Sequence, residues 1–124
     1  MLKTITLVGI GGAIGSILRY LASTLINTKI LSGFPWGTLF INITGCFIIG
    51  VVYAFAEKNS ISPEWRFFLA TGICGGYTTF STFSLESFSL LRDGHYFYAT
   101  AYISSSVILG TLATFAPIIV IEKL

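Results

Sequence analysis

Four apolar stretches, at 4–26, 36–56, 65–91 and 96–121, take up most of this 124-residue chain and leave only short connectors between them. A helix rises about 1.5 Å per residue and the hydrocarbon core of a bilayer is about 30 Å thick, so each stretch is long enough to cross. The chain is therefore predicted to be an all-α membrane protein, one four-span transmembrane domain over 1–124, with no length left for a soluble catalytic domain and hence not an enzyme. Charge agrees: 10% of the residues are charged, against about 25% in a typical soluble domain. A net charge of +2 supplies no basic stripe of the kind nucleic acid requires. There is no Gly-rich phosphate loop of the Gly-x-x-x-x-Gly-Lys-Ser/Thr type, so no nucleotide is expected.

The first stretch exceeds the hydrophobic region of a signal peptide and contains Arg19, so it is expected to stay on the mature protein. Cys46 and Cys74 lie inside spans, far from any Cys-x-x-Cys or Cys/His cluster, and read as small packing residues. His95 has no companion ligand and reads as an interfacial polar residue. The connectors carry turn chemistry, and Ser62 before Pro63 suits a helix start. Trp36, Trp65, Tyr96 and Tyr98 sit at span ends, where amphipathic rings favour the headgroup level.

An even number of spans puts both termini on one side. That side carries Lys3, Lys58, Arg66 and Lys123, and the other carries Lys29 and Arg92, with Arg19 as a third if it snorkels outward. Because Lys/Arg bias sets orientation, so even a division is a weak vote, and insertion both ways up is the expectation.

Polar groups at membrane depth are costly, and each needs a partner or a purpose. In the first span, Gly11 with Gly15 and Gly12 with Ser16 form overlapping small-xxx-small pairs that admit a close helix neighbour. Arg19 follows, able to meet a carboxylate, neutralise an anion or snorkel outward. In the second span Thr38, Asn42 and Gly45 share a face, and the Asn42 amide must bond another helix, water or a ligand. The third span holds a Gly75-Gly76 pair, then five hydroxyl residues in the seven positions 78–84. Such a run is a poor continuous helix, and a break near Gly75 to Thr78 is expected. It would free backbone groups that protein, water or an ion must satisfy; a glycine kink that permits close packing is the other reading. Phe80 and Phe83, about 60° apart on a helix, share a broad face, and their positive ring edges suit a small anion, although lipid-facing or packed phenylalanines are commoner. Tyr98, Tyr102, Ser106, Gly110 and Thr114 recur at every fourth position of the last span, as a packing seam or a pore wall.

Taken in order, Gly11-Gly12-Ala13-Ile14-Gly15-Ser16-Ile17-Leu18-Arg19-Tyr20, Pro35-Trp36-Gly37-Thr38 with Asn42 and Gly45, and Gly75-Gly76-Tyr77-Thr78-Thr79-Phe80-Ser81-Thr82-Phe83-Ser84-Leu85-Glu86 resemble the Fluc/CrcB family of small fluoride channels. The resemblance covers essentially the whole chain and is loosest in the fourth span, where Gly110 offers no hydroxyl.

It implies four transmembrane helices per subunit, the third broken near its middle, in an antiparallel dual-topology homodimer of the cell (inner or plasma) membrane. It implies passive, fluoride-selective export from the cytoplasm that relieves fluoride toxicity, with two pathways per dimer. By resemblance Phe80 and Phe83 line each pathway with ring edges, Asn42 donates to fluoride, and Ser81, Thr82, Tyr102 and Ser106 add hydroxyl donors. Arg19 and Glu86 fall at vestibule-like positions, and the Gly75 and Thr78 carbonyls of both subunits match the site of a central Na⁺. Fluoride is small and strongly hydrated, so a passage must replace water's donors yet bind weakly enough to release. Two rival readings are a small four-span proton-coupled multidrug exporter and a non-transporting assembly subunit. The exporter needs a carboxylate deep in its first span, which carries only Arg19.

Overall fold

The computed structural model describes all residues 1–124, and every regular element in it is helical. Helix α1 runs Leu2–Lys29 and α2 runs Trp36–Glu57. The third crossing is in two pieces. Its first half, α3, is continuous through an α-helical turn at Pro63–Arg66, a π-helical stretch at Phe67–Cys74 and a last α-turn at Gly75–Tyr77. The second half, α4, is Phe80–Arg92, and α5 is Tyr96–Glu122. By length and apolar composition α1, α2 and α5 each suffice to cross a membrane, and α3 with α4 makes the fourth crossing of a multi-pass membrane protein.

The helices outrun the apolar stretches by a residue or more at most ends, because helical hydrogen bonding continues into the polar flanks. At the start of α3, Ser62 Oγ accepts the Trp65 N–H at 3.4 Å and Pro63 occupies the first turn, where its missing N–H costs nothing. Pro117 lies buried within α5, where the small Gly50 of α2 meets it.

Two packing seams organise the chain. Helix α1 lies along α3, and the spacing of its contacts follows the wider ladder of the π stretch, in which bonds run i→i+5. A Cβ on Gly11 would stand 2.6 Å from the Phe68 carbonyl oxygen and 3.0 Å from the Gly72 Cα. One on Gly15 would collide with the Ile73 carbonyl, and one on Gly76 with the Gly12 carbonyl. The small residues of α1 thus meet backbone, and their counterparts on α3 are Gly72 and Gly76. The second seam joins α2 to α5: Thr114 Oγ1 donates to the Cys46 carbonyl at 3.1 Å, and Gly110 opposes the Cys46 sulfur. The free cysteines, Cys46 and buried Cys74, lie within this packing.

The interruption in the third crossing falls at Thr78 and Thr79, both extended (ψ 158° and 116°). Gly75 and Gly76 stay helical. The break therefore sits at the C-terminal edge of the window expected from sequence, because Gly76 is used for close approach to Gly12 and not as a hinge.

Candidate functional site

Where a helix stops inside a membrane, the orphaned backbone groups need new partners. Three side chains supply them. Asn42 of α2 grips one residue at both ends: its Oδ1 accepts the Thr79 N–H at 2.8 Å and its Nδ2 donates to the Thr79 carbonyl at 3.1 Å. Thr79 Oγ1 accepts the Thr82 N–H at 3.1 Å and so caps α4; hydroxyls are favoured at this position. Arg19 Nε, reaching from α1, donates to the Gly76 carbonyl at 3.1 Å.

The interruption takes the helical donors from four carbonyls, those of Gly75, Gly76, Tyr77 and Thr78, and Arg19 re-satisfies only that of Gly76. In an unbroken helix the Thr79 N–H would bond the Gly75 carbonyl and the Thr82 N–H the Thr78 carbonyl. Both N–H groups are turned to side chains instead. Of the freed oxygens, those of Gly75 and Thr78 stand at the pair of positions that resemblance associates with a cation. Hard cations take oxygen ligands of this kind, so the donor chemistry fits.

A cavity of about 370 Å³ opens beside the break. Among its walls are six of the candidate site residues: Asn42, Gly75, Thr78, Phe80, Phe83 and Ser106. The Phe80 and Phe83 rings stand 5.7 Å apart, tilted 52°. Phe80 is 79% exposed, whereas Phe83 packs 5.1 Å from the Tyr102 ring. The Ser106 hydroxyl is buried and has no hydrogen-bond partner. One hydrogen of the Asn42 amide is committed to Thr79, and its NH₂ group carries a second. The apolar bulk of this wall thus carries a few donors that converge on one space, as ligand sites do.

The remaining sequence candidates lie elsewhere. Arg19 and Thr82 line a separate cavity of about 210 Å³ together with Ser16, Tyr20, Ser23, Thr38 and Ile41. Tyr102 is fully buried beneath Phe83, and its hydroxyl donates to Glu86 Oε1 at 3.1 Å. Ser81 is exposed, its hydroxyl 3.4 Å from that of Thr79. The periodic face of α5 divides: Gly110 and Thr114 serve the seam, and Ser106 faces the cavity. Thr79 is the functional residue that sequence reasoning passed over. Its signal is a threonine immediately before Phe80, since a hydroxyl residue ahead of a helical segment marks a helix start. The bond of 2.9 Å between the Thr44 and Tyr77 hydroxyls, which ties α2 to the end of α3, was also not singled out.

Known proteins add a second line of observation. A family described as CrcB-like protein, Camphor Resistance (CrcB), matches residues 6–118. A protein of Flavobacterium psychrophilum named Fluoride-specific ion channel FluC is 46% identical over 124 residues, covering 99% of this chain and 100% of the relative. A protein of Rhizobium meliloti with the same name is 52% identical over 113 residues, 90% of each chain. One from Leptospira interrogans, again so named, is 46% identical over 122 residues, 98% of this chain and 96% of its own. With a family match across nearly all of its length and relatives at these identities, the chain belongs to the CrcB family.

Proposed function

We propose that this protein is a fluoride channel, passing the anion passively across the membrane along the wall formed by Phe80, Phe83, Asn42 and Ser106. The observation that carries the reading is the buried Ser106 hydroxyl without a partner, facing the same cavity as the two phenylalanines and the Asn42 amide. A buried polar group left unsatisfied costs about 1–3 kcal/mol, and a hydrated anion arriving there supplies the missing acceptor. Ring edges, hydroxyls and an amide replace water's donors without a full positive charge that would trap the ion. The names borne by relatives in three bacteria support the ion's identity. Ser81 and Thr82, at the start of α4, would add hydroxyl donors to the route, Thr82 from the separate cavity it shares with Arg19. Tyr102, held by Glu86, backs Phe83.

The working unit is an antiparallel homodimer inserted in both orientations. In it the Gly75 and Thr78 carbonyls of the two copies would hold a central Na⁺, which supplies positive charge and joins the half-helix ends. Fluoride crosses membranes as its neutral acid and ionises on the more alkaline side, so a passive pore exports it down its own gradient. Arg19 and Glu86 border the route, at the cavity beside α1 and at Tyr102.

The test is efflux of fluoride and of chloride from liposomes containing only this protein. Fast fluoride efflux without chloride efflux, and without a proton gradient, is the expected result. Absence of fluoride efflux from protein shown to be dimeric overturns the reading and favours a non-transporting role; flux strictly coupled to protons favours an exporter.

A further inference from the structure

Arg19 is the one basic residue deep in the spans, and it meets no carboxylate: the chain's ion pair is Arg92 with Asp93, at 3.1 Å on the surface. Its Nε instead donates to the Gly76 carbonyl, the last turn of α3 before the break. Two features of the surroundings suit this placement. Carbonyls at a helix C-terminus carry the negative end of the helix dipole, where a cation is stabilised. The seam of α1 delivers the side chain there, since Arg19 lies one turn beyond Gly15, whose Cβ-less face admits Ile73 and Tyr77 of α3. The hydroxyls of Ser16, Ser23, Thr38 and Thr82 line the cavity that Arg19 shares, a polar setting for the rest of the guanidinium.

Arg19 and Asn42 hold opposite sides of the interruption. Asn42 fixes Thr79, Arg19 fixes Gly76, and the freed Thr78 carbonyl lies between these anchors, with that of Gly75 immediately before them. We infer that Arg19 is a positioning residue for the break: through its Nε–H bond to Gly76 it holds the end of α3 so that Thr79 meets Asn42 and α4 presents Phe80 and Phe83 to the cavity. Its effect on conduction runs through this bond and not through attraction of anions by its charge. The conduction part rests on the fluoride-channel reading; the positioning part stands on the geometry alone.

Side-chain chemistry separates the two roles. A glutamine places its amide nitrogen the same number of bonds from Cβ as the arginine Nε, so Arg19→Gln keeps a donor for the Gly76 carbonyl and removes the charge. Arg19→Met keeps length and removes both. Fluoride efflux from liposomes and amide hydrogen exchange at residues 77–80 are measured on both variants and the wild type, after confirming that each elutes as folded protein. Losing a hydrogen bond made by a charged group corresponds to a change of about tenfold or more. We expect that loss of flux, and exchange at Thr79 faster by a similar factor, in Arg19→Met. In Arg19→Gln both are expected within about threefold of wild type, as a neutral bond retains part of the energy. If Arg19→Gln loses flux as Arg19→Met does while its Thr79 amide stays protected, charge and not positioning is the role and the inference is overturned. Unchanged exchange in Arg19→Met overturns it as well. If Arg19→Met does not fold, Arg19→Gln still decides: near-wild-type exchange and flux support the inference, and rapid exchange overturns it. Should the wild type carry no fluoride, the exchange data still test the anchor while the channel reading falls separately.

Discussion

Asn42 commits both ends of its amide to the single residue Thr79, at 2.8 and 3.1 Å. Replacement by alanine leaves a half-buried N–H and a half-buried carbonyl without protein partners, each costing at most the ~1–3 kcal/mol of a fully buried group. Asn42→Ala should therefore lower the thermal unfolding midpoint and abolish fluoride efflux. Asn42→Asp keeps an acceptor for the Thr79 N–H but loses the donor and brings a negative charge to an anion route. It should melt above the alanine variant while conducting no better, a contrast read by melting in detergent alongside liposome flux. Phe80→Ile and Phe83→Ile test the ring edges: each removes a positive edge but keeps apolar volume, so each should slow efflux severely. Retained rates in both would remove the aromatic role even if the channel stood. That Asn42 needs a partner is legible in the sequence, because an amide in hydrocarbon cannot be left alone. That the partner is a peptide group 37 residues away is not, since it exists only once the helix has broken.

At the scale of elements, the contact between α1 and α3 is made by glycines that meet backbone, and backbone cannot step aside. A Cβ on Gly15 would overlap the Ile73 carbonyl and stand 2.9 Å from the Tyr77 nitrogen. Overpacking of this kind typically costs about 1–3 kcal/mol. Gly15→Ala should therefore depress the melting midpoint and, by shifting the end of α3, the flux. Gly12→Ala is the control within the same turn: its Cβ would find the nearest neighbour 4.0 Å away, at the Gly72 carbonyl oxygen. It should melt at or slightly above wild type, since alanine favours helix over glycine by up to about 1 kcal/mol. Equal damage from both would mean that the seam is set by something other than close approach. The spacing of Gly11 and Gly15 makes a tight contact readable in advance. Gly72 and Gly76 carry the same four-residue spacing, but that they are the partners of Gly11, Gly15 and Gly12 is not readable, because spacing marks a face and not the helix that meets it. The break falls at the C-terminal edge of the window Gly75 to Thr78 that the sequence marks, where Asn42 and the Thr79 hydroxyl can replace helix bonds.

For the whole molecule, the face on which the cavity opens calls for a cover. Phe80 is 79% exposed there, and exposed Gly75 and Ser81 lie beside it. Polar groups of this kind do not face hydrocarbon when protein can cover them. Only 19 of the 124 residues are buried within a single copy, so the chain retains ample surface for a second. The charge division, Lys29 and Arg92 against Lys3, Lys58, Arg66 and Lys123, is a weak bias that would let such a copy stand either way up. Two charge-shifted variants test the antiparallel pair. Glu57→Lys with Ser60→Lys strengthens the existing bias, and Leu31→Lys with Asp93→Lys, Lys58→Gln and Lys123→Gln reverses it; all six positions are exposed. Since Lys/Arg bias fixes orientation, each variant should insert one way only, as read by compartment-specific reporters on its termini. Alone, neither should protect cells from fluoride; expressed together, they should restore protection, because only the mixture contains opposed copies. Full activity from either variant alone, with a single orientation verified, would mean that the pore does not need a partner facing the other way.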